Sequence, residues 1–375
     1  MKNLFRNLDI AVTFLLTVFG SCQAAESPIV LGQSAALTGP AAMLGTEMAR
    51  GMNAYFNEIN QKGGVNGHPI KLITLDDGYE PDRTVKNTQK LIKEDNVVAL
   101  VGYVGTPTSV AVLPMAKAAG LPFIGAYTGA DSLRDGKFDN VFNIRASYND
   151  EALRIAKEID GMGLHTMGIV YQNDAFGQAG LRAMQAALQK HQEVKVLWTE
   201  SVERNSVNVD AAVAKIKSQH VDSVFVVSAY TTTGELLKKA RGAGYFGFFT
   251  TLSFVGEEPL AGEAGKAAQG VLVTAVMPSP HSEPIELSSE YHKAFSKAAP
   301  TPDFTYASME GYVVARVVVD ALRKIKGDIT PAAIDASLRG KRADLGGFEV
   351  DFTKSNNAST WVESTMIGAE GKIKR

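Results

Sequence analysis

What this sequence lacks narrows its chemistry before any motif is read. It has one cysteine, Cys22, in 375 residues. No disulfide can form within the chain, and zinc or iron–sulfur sites built on several thiolates are excluded. The six histidines (His68, His165, His191, His220, His281 and His292) are scattered, with no pair at the helical spacing that holds a metal. Charge of one sign is also missing. With 38 Lys+Arg against 40 Asp+Glu the formal net charge is −2. No long basic run offers the clustered cations that phosphate backbones require, which argues against nucleic acid as a partner.

The motifs of common cofactor and nucleotide chemistry are absent too. No Gly-x-Gly-x-x-Gly directly follows a strand, as a dinucleotide site requires (Gly242-Ala-Gly244-Tyr-Phe-Gly247 precedes one), and there is no Gly-Lys-Ser/Thr for a phosphate-cradling loop. The nearest approach to a nucleophile elbow, Gly32-Gln-Ser34-Ala-Ala36, departs from Gly-x-Ser-x-Gly and runs into the turn Thr38-Gly39-Pro40. Ser34 therefore reads as a strand-end residue. Asp76 and Asp77 are neighbours after a strand and point to opposite sides, so they do not form a two-carboxylate site. With no catalytic constellation, no cofactor is expected and an enzyme is the weaker reading.

Long apolar runs are confined to one place. Ile10–Phe19 follows Lys2 and Arg6, the pattern of an export signal over residues 1–24. The run is shorter than the ~20 residues that a membrane-spanning helix needs. Two processing readings stay open: Cys22-Gln-Ala24 suits cleavage after Ala24, and Phe19-Gly-Ser-Cys22 loosely resembles a lipoprotein box with Cys22 as the acylated residue. The Phe at the first position of that box favours plain secretion. On either reading the mature chain is exported to the periplasm.

What is present is the composition of an ordinary globular protein, 45% apolar and 21% charged. The length suggests about two domains. Short β-branched runs alternate with longer stretches of helical spacing. The predicted strands are 29–34, 70–76, 97–102, 122–126, 141–145, 167–172, 194–199, 223–228, 248–252 and 271–276, with late strands at 348–352 and 361–367. Helices are predicted at 47–61, 82–94, 110–119, 151–161, 176–191, 211–220, 235–243 and 306–324. Continuous apolar strands alternating with helices imply parallel sheets covered on both faces, and more than ten strands imply two such α/β units. Boundaries are plausible near 145–150 and 276–284.

In open parallel sheets ligands sit beyond the carboxyl ends of strands, where helix N-termini present free N–H groups. Hydroxyl- and glycine-rich turns recur at such places. They are Tyr103-Val-Gly-Thr106-Pro107-Thr108-Ser109, Tyr127-Thr128-Gly129-Ala130, Gln172-Asn-Asp174-Ala-Phe176-Gly177 and Ala229-Tyr230-Thr-Thr-Thr-Gly-Glu235. Thr106 is expected as an N-cap with Pro107 at the first helical position, leaving the Thr108 and Ser109 hydroxyls free. Thr232 and Glu235 are expected to form a capping box. Tyrosines beside the caps in both halves can stack on a ligand and offer a hydroxyl.

These residues carry a resemblance. Ile29-Val-Leu-Gly-Gln-Ser-Ala-Ala-Leu-Thr38-Gly39-Pro40, the helix from Gly51 to Asn60, Gly63-Gly-Val-Asn-Gly67, Asp76-Asp77, Leu100-Val-Gly-Tyr103, Gly120-Leu-Pro-Phe-Ile124 and Asn173-Asp174-Ala-Phe-Gly177 follow in order along nearly the whole mature chain. Together they resemble the solute-binding proteins of branched-chain amino-acid-type ABC transporters. The resemblance implies a two-lobed type I periplasmic-binding fold, each lobe a doubly wound, mostly parallel sheet, joined by three hinge crossings. Lobe one is then 27–146 plus 277–350, and lobe two 147–276 plus 351–375. The implied function is a receptor that closes on a small carboxylate-bearing solute, an amino acid or related acid, and docks on ABC permease membrane subunits. A monomer is expected. A ligand-sensing module of a signalling system on the same fold is the alternative.

Carried over by position, Thr106 matches the hydroxyl ligand of the solute carboxylate, and Tyr127, Thr128 and Gly129 match the loop that contacts the amino-carboxyl group. Leu44 stands where leucine-type binders often place an aromatic wall, while Phe176 and Tyr230 match aromatic residues of the second lobe. Thr108, Tyr79, Tyr148 and Phe254 complete the candidate list. One departure matters: the family's amino-acid binders pair the ligand ammonium with a carboxylate where this chain has Ser253. Either another carboxylate substitutes, with Asp174, Glu80 and Glu257 as candidates, or the ligand lacks the ammonium. The family's first-lobe disulfide is also missing.

Overall fold

The strands marked by β-branched runs assemble into two separate sheets. The structure, a computed structural model, describes residues 27–281, 285–298 and 303–374. The expected export signal at 1–24 and Cys22 lie outside the described residues, as does part of the proposed boundary at 276–284.

The first sheet contains β1 (Ile29–Ala35), β2 (Ile70–Asp76), β3 (Ala99–Val101), β4 (Phe123–Ile124) and β5 (Val141–Phe142). Its order is β2-β1-β3-β4-β5, and each pair is parallel. Helices α1 (Ala42–Gln61), α2 (Pro81–Lys93) and α3 (Thr106–Ala118) connect these strands.

The chain then enters α4 (Tyr148–Gly161) and builds β6 (Thr166–Gln172), α5 (Ala175–Leu188), β7 (Lys195–Val202), α6 (Asp210–Ser218), β8 (Ser223–Val227), α7 (Tyr230–Gly242), β9 (Phe248–Thr251), α8 (Glu257–Ala264) and β10 (Leu272–Ala275). It returns to the first lobe with α9 (Glu286–Ala298), α10 (Tyr306–Arg323) and α11 (Pro331–Leu338), followed by a small antiparallel pair, β11 (Arg342–Asp344) and β12 (Glu349–Asp351). A third crossing leads to β13 (Glu363–Ile367) and β14 (Ile373–Lys374), which join the second sheet antiparallel. That sheet runs β14-β13-β10-β9-β8-β6-β7.

The core follows from the periodicities. Strands β8 and β10 are buried at every position, as sheets covered on both faces require. Helix α10 lies on α1 with two glycines at the contact. A Cβ on Gly51 would fall 2.0 Å from the Ser308 carbonyl oxygen, and one on Gly311 would fall 2.2 Å from that of Met48. Backbones this close admit only glycine. Thr305 caps α10, its hydroxyl accepting the Ser308 N–H at 3.1 Å.

All the predicted strands exist, but several helices begin earlier than predicted. Helix α1 starts at Ala42 and not at 47, α3 at Thr106 and not at 110, α4 at Tyr148 and not at 151, and α7 at Tyr230 and not at 235. The first turns of α3, α4 and α7 look toward the partner lobe, so their side chains follow no core-facing period. Helices α8, α9 and α11 and strands β11 and β14 lie in stretches for which the sequence predicts no element. Two capping expectations are corrected. The N-cap of α3 is Gly105, at φ +99°, with Thr106 already inside the helix. Thr232 and Glu235 form no capping box, because Ala229 is the N-cap of α7 and the Thr232 hydroxyl donates to the Ser206 carbonyl at 2.6 Å.

Candidate ligand-binding cleft

The carboxyl ends of the parallel strands of both sheets face each other, and the loops beyond them meet. From the first lobe come the α3 start after β3 and the 125–130 loop after β4, which Val104 and Tyr127 join by a parallel bridge. Gly105 is fixed by geometry, since at its positive φ an added Cβ would lie 2.2 Å from the Tyr79 ring. Beside it, the Thr106 and Thr128 hydroxyls are 2.7 Å apart, and Thr128 is hydrogen-bonded to the Tyr148 hydroxyl at 3.2 Å. Three buried hydroxyls, from the first turns of α3 and α4 and from the 125–130 loop, thus converge at the α3 N-terminus. Gly129 accepts the Tyr148 N–H at 2.8 Å, and a Cβ there would strike the Tyr148 ring at 2.4 Å.

Aromatic rings enclose this cluster. Phe254, on a single turn at 253–255, lies 4.4 Å from Phe176, 5.7 Å from Tyr127 and 5.9 Å from Tyr79, between ring centroids. Phe176 reaches Tyr148 at 5.6 Å. These spacings are those of favourable ring pairs. Burial holds the phenols of Tyr79 and Tyr127 well above the ordinary value and that of Tyr148 at about 12, so all three stay protonated donors. Tyr79 adopts φ +64°, a costly conformation for a ring-bearing residue, and its hydroxyl accepts from the Gln172 amide at 3.4 Å across the lobes.

The lips of the cleft are also tied. The Met43 N–H donates to the Tyr230 hydroxyl at 3.3 Å, and Thr231 donates to the Pro40 carbonyl at 3.2 Å. Leu44 is buried with its Cδ2 2.9 Å from where a Cβ on Gly256 would sit. On the opposite side Arg204 meets Glu80 at 2.8 Å and Asp174 at 3.5 Å, and Asn205 donates to Glu80 at 2.7 Å and to the Gly78 carbonyl at 3.2 Å.

The structure therefore brings Thr106, Tyr127, Thr128, Gly129, Tyr79, Tyr148, Phe176, Ser253 and Phe254 into one region, with Leu44 and Tyr230 at its lip. Thr108 is the correction: its hydroxyl donates to the Val104 and Gly105 carbonyls, closing the first turn of α3, and is not free. Ser109 Oγ has no partner. Asp76 and Asp77 serve architecture, Asp76 taking the N–H groups of Leu37, Thr38 and Gly78, and Asp77 the hydroxyls of Ser34 and Thr84. Asp77's second oxygen accepts the Tyr79 N–H, which helps hold the strained turn.

The residue that sequence reasoning missed is Arg145. Its side chain is 1% exposed, its guanidinium stacks over the Tyr127 ring at 4.5 Å and donates to the Ser253 hydroxyl, and its Nε lies 3.7 Å from Glu310. Glu151, also buried, accepts the Ser253 N–H at 2.7 Å and a bond from Thr274. Burial raises the Glu151 carboxyl and pushes that of Glu310 up to about 7, with Arg145 opposing both shifts. Glu310 was detectable in principle, since it sits on the apolar face of α10 between Tyr306 and Val313–Val314, where a lone carboxyl needs a partner. Of the three proposed substitutes for the missing carboxylate, Asp174 and Glu80 are otherwise engaged, while Glu257 keeps one buried oxygen without a partner. Asp174 caps α5 through the Phe176 and Gly177 N–H groups, Glu80 is held by Arg204 and Asn205, and Glu257 is buried with its carboxyl raised well above the usual range by desolvation.

Residues 28–367 match the family model described as periplasmic binding protein, and the chain belongs to that family. It is 26% identical over 377 residues to the Leu/Ile/Val-binding protein homolog 7 of Brucella abortus (strain 2308), covering 93% of this chain and 91% of that one. Among solved structures it is similar to a possible leucine/isoleucine/valine-binding protein from Rhodopirellula baltica SH 1, with TM-score 0.89, 35% identity and coverage of 93% and 96%. A substrate-binding periplasmic protein from Ralstonia solanacearum superposes with TM-score 0.87 at 29% identity, covering 92% and 99%. The fold is the two-lobed type I periplasmic-binding fold, and the family is one of solute binders, not of enzymes.

Proposed function

We propose that this chain is the extracytoplasmic receptor of an ABC importer, which takes a small carboxylate-bearing solute, an amino acid or related acid, between its lobes and presents it to a membrane permease on closure. The observation that carries this reading is the buried hydroxyl triad Thr106–Thr128–Tyr148 at the start of α3, enclosed by rings from both lobes. Hydroxyl and backbone donors at a helix N-terminus suit a carboxylate. Ties such as Met43–Tyr230 exist only while the lobes are together, so a solute that touches both lobes draws the equilibrium toward closure.

In this reading the lobes are 27–146 plus 277–350 and 147–276 plus 351–375. Residues 1–24 direct export, by cleavage after Ala24 or lipid attachment at Cys22, and the receptor works as a monomer. Relatives named for leucine, isoleucine and valine place amino acids on the candidate list beside related acids.

A thermal-shift screen of amino acids, aromatic acids and amides against the mature protein tests the proposal. Stabilisation by a carboxylate, returned unchanged after saturation, is the expected result. Thr106→Ala should then weaken that binding, and loss of uptake on deletion of the chain should follow. If no carboxylate stabilises the protein, the proposal fails.

A further inference from the structure

We infer that the cleft selects a planar aromatic carboxylate without an amino group. This rests on the receptor reading above and goes further by choosing among the acids that the reading allows.

The ring faces provide the first argument. Tyr79 and Tyr127 belong to the first lobe, and Phe176, Tyr148 and Phe254 to the second, so closure itself assembles the aromatic wall. All five are buried. A flat ring can join such a cluster at offset or edge-on spacing while burying no polar atom, whereas a branched aliphatic chain forgoes the quadrupole match.

The charge of the wall provides the second. Aromatic clusters attract cations, but here the position is taken, because Arg145 already stands 4.5 Å over Tyr127 and is fixed by the Ser253 hydroxyl. A ligand ammonium brought to the rings meets a like charge. A ligand carboxylate meets an attractive one: Arg145 Nε is ion-paired with Glu310 at 3.7 Å, but Nη1 has no hydrogen-bond partner although the side chain is 1% exposed. Buried guanidinium donors of this kind call for an acceptor.

The nearby acids do not reverse this balance. Glu80 and Asp174 are committed to Arg204, Asn205 and the α5 N-terminus. Glu310 and Glu151 flank Arg145 and partly offset its charge, and Glu257 accepts a 3.5 Å bond from the Thr365 hydroxyl and carries a carboxyl that burial raises. Glu151 Oε1 and Glu257 Oε2 lack partners and are the groups an ammonium would have to reach. Burial raises the Glu151 carboxyl, and its ionised form is already balanced against Arg145.

Titration calorimetry of the mature protein with pairs that differ only in the amino group decides the matter. The pairs are phenylacetate with phenylglycine, 3-phenylpropanoate with phenylalanine, and 4-methylpentanoate with leucine. In the aromatic pairs the acid without an amino group should bind at least tenfold tighter, and the better aromatic acid should exceed 4-methylpentanoate. Ser253→Asp should move the phenylalanine to phenylpropanoate ratio at least tenfold toward the amino acid, with thermal unfolding as the check on folding. Tighter binding of phenylalanine or leucine than of its partner overturns this inference and leaves the receptor reading standing. If none of the six binds, the inference fails, and stabilisation by another carboxylate in the wider thermal-shift screen decides whether the receptor reading stands.

Discussion

The Met43 backbone N–H donates to the Tyr230 hydroxyl at 3.3 Å, joining the first turn of α1 in one lobe to the first turn of α7 in the other. Because the bond spans the cleft, it stabilises only the closed arrangement. Removing it changes the open–closed balance without touching either core. Tyr230→Phe keeps the ring and should weaken solute affinity by about 2- to 10-fold, the ~0.5–1.5 kcal/mol of one hydrogen bond. The unfolding temperature should not move. Calorimetric titration of the wild type and variant with the solute found by screening measures the difference.

The opposite lip is tied by charge. Arg204 and Glu80 meet at 2.8 Å, but their side chains are 25% and 42% exposed, so solvent and salt screen the pair. A double-mutant cycle with Arg204→Gln and Glu80→Gln should give a coupling of ~0.2–1 kcal/mol in solute affinity. The coupling should shrink as salt rises. A coupling above that range, unchanged by salt, would show that the pair is dry when closed.

These two ties illustrate what the sequence made legible. The strands and the hydroxyl-rich turns were readable because parallel strands buried on both faces are apolar throughout, and because Thr, Pro and Gly at strand ends announce helix starts. Tyr230 and Thr106, which open α7 and α3, were therefore legible as residues at helix starts. Arg145 was not, because it closes an apolar strand pattern at 141–145 and looks like a boundary residue. Its partners Glu151, Ser253, Tyr127 and Glu310 lie between 6 and 165 positions away in the chain, and no local spacing links them. The capping assignment at Thr232 failed for a related reason. Its hydroxyl is spent on Ser206, a contact set by the packing of the 203–209 loop.

Two carboxyls should set the pH dependence of stability in opposite directions. Burial holds Glu310 at about 7, above its ordinary 4.5. Between those values the folded chain holds a proton that the unfolded chain has released, so this contribution to stability is lost as pH rises through the window. Asp76 lies well below its ordinary 3.8; burial opposes the shift, and bonds from Thr38, Leu37, Gly78 and Arg83 outweigh it. Its contribution is present above that value and is lost as pH falls below it. Glu310→Gln should therefore flatten the decline in melting temperature between about pH 5 and 7 and leave the acid limb unchanged. Circular dichroism melts across the range provide the comparison.

The last prediction sets one substitution against itself. Gly51 and Gly262 both lie in helices, α1 and α8, and in a free helix alanine is the better residue at either. At Gly262 an added Cβ meets nothing within 4 Å, so Gly262→Ala should stabilise by ~0.4–1 kcal/mol by restricting the unfolded chain. At Gly51 the same methyl would stand 2.0 Å from the Ser308 carbonyl oxygen and 2.8 Å from the Tyr312 nitrogen. Both are backbone atoms of α10, so no side chain can turn away, and relief requires the two helices to separate. Gly51→Ala should cost ~1–3 kcal/mol or more. Urea unfolding should show the midpoint rising for one variant and falling for the other. Equal shifts would mean that the α1–α10 contact is looser in solution than the close approach of Gly51 and Gly311 requires.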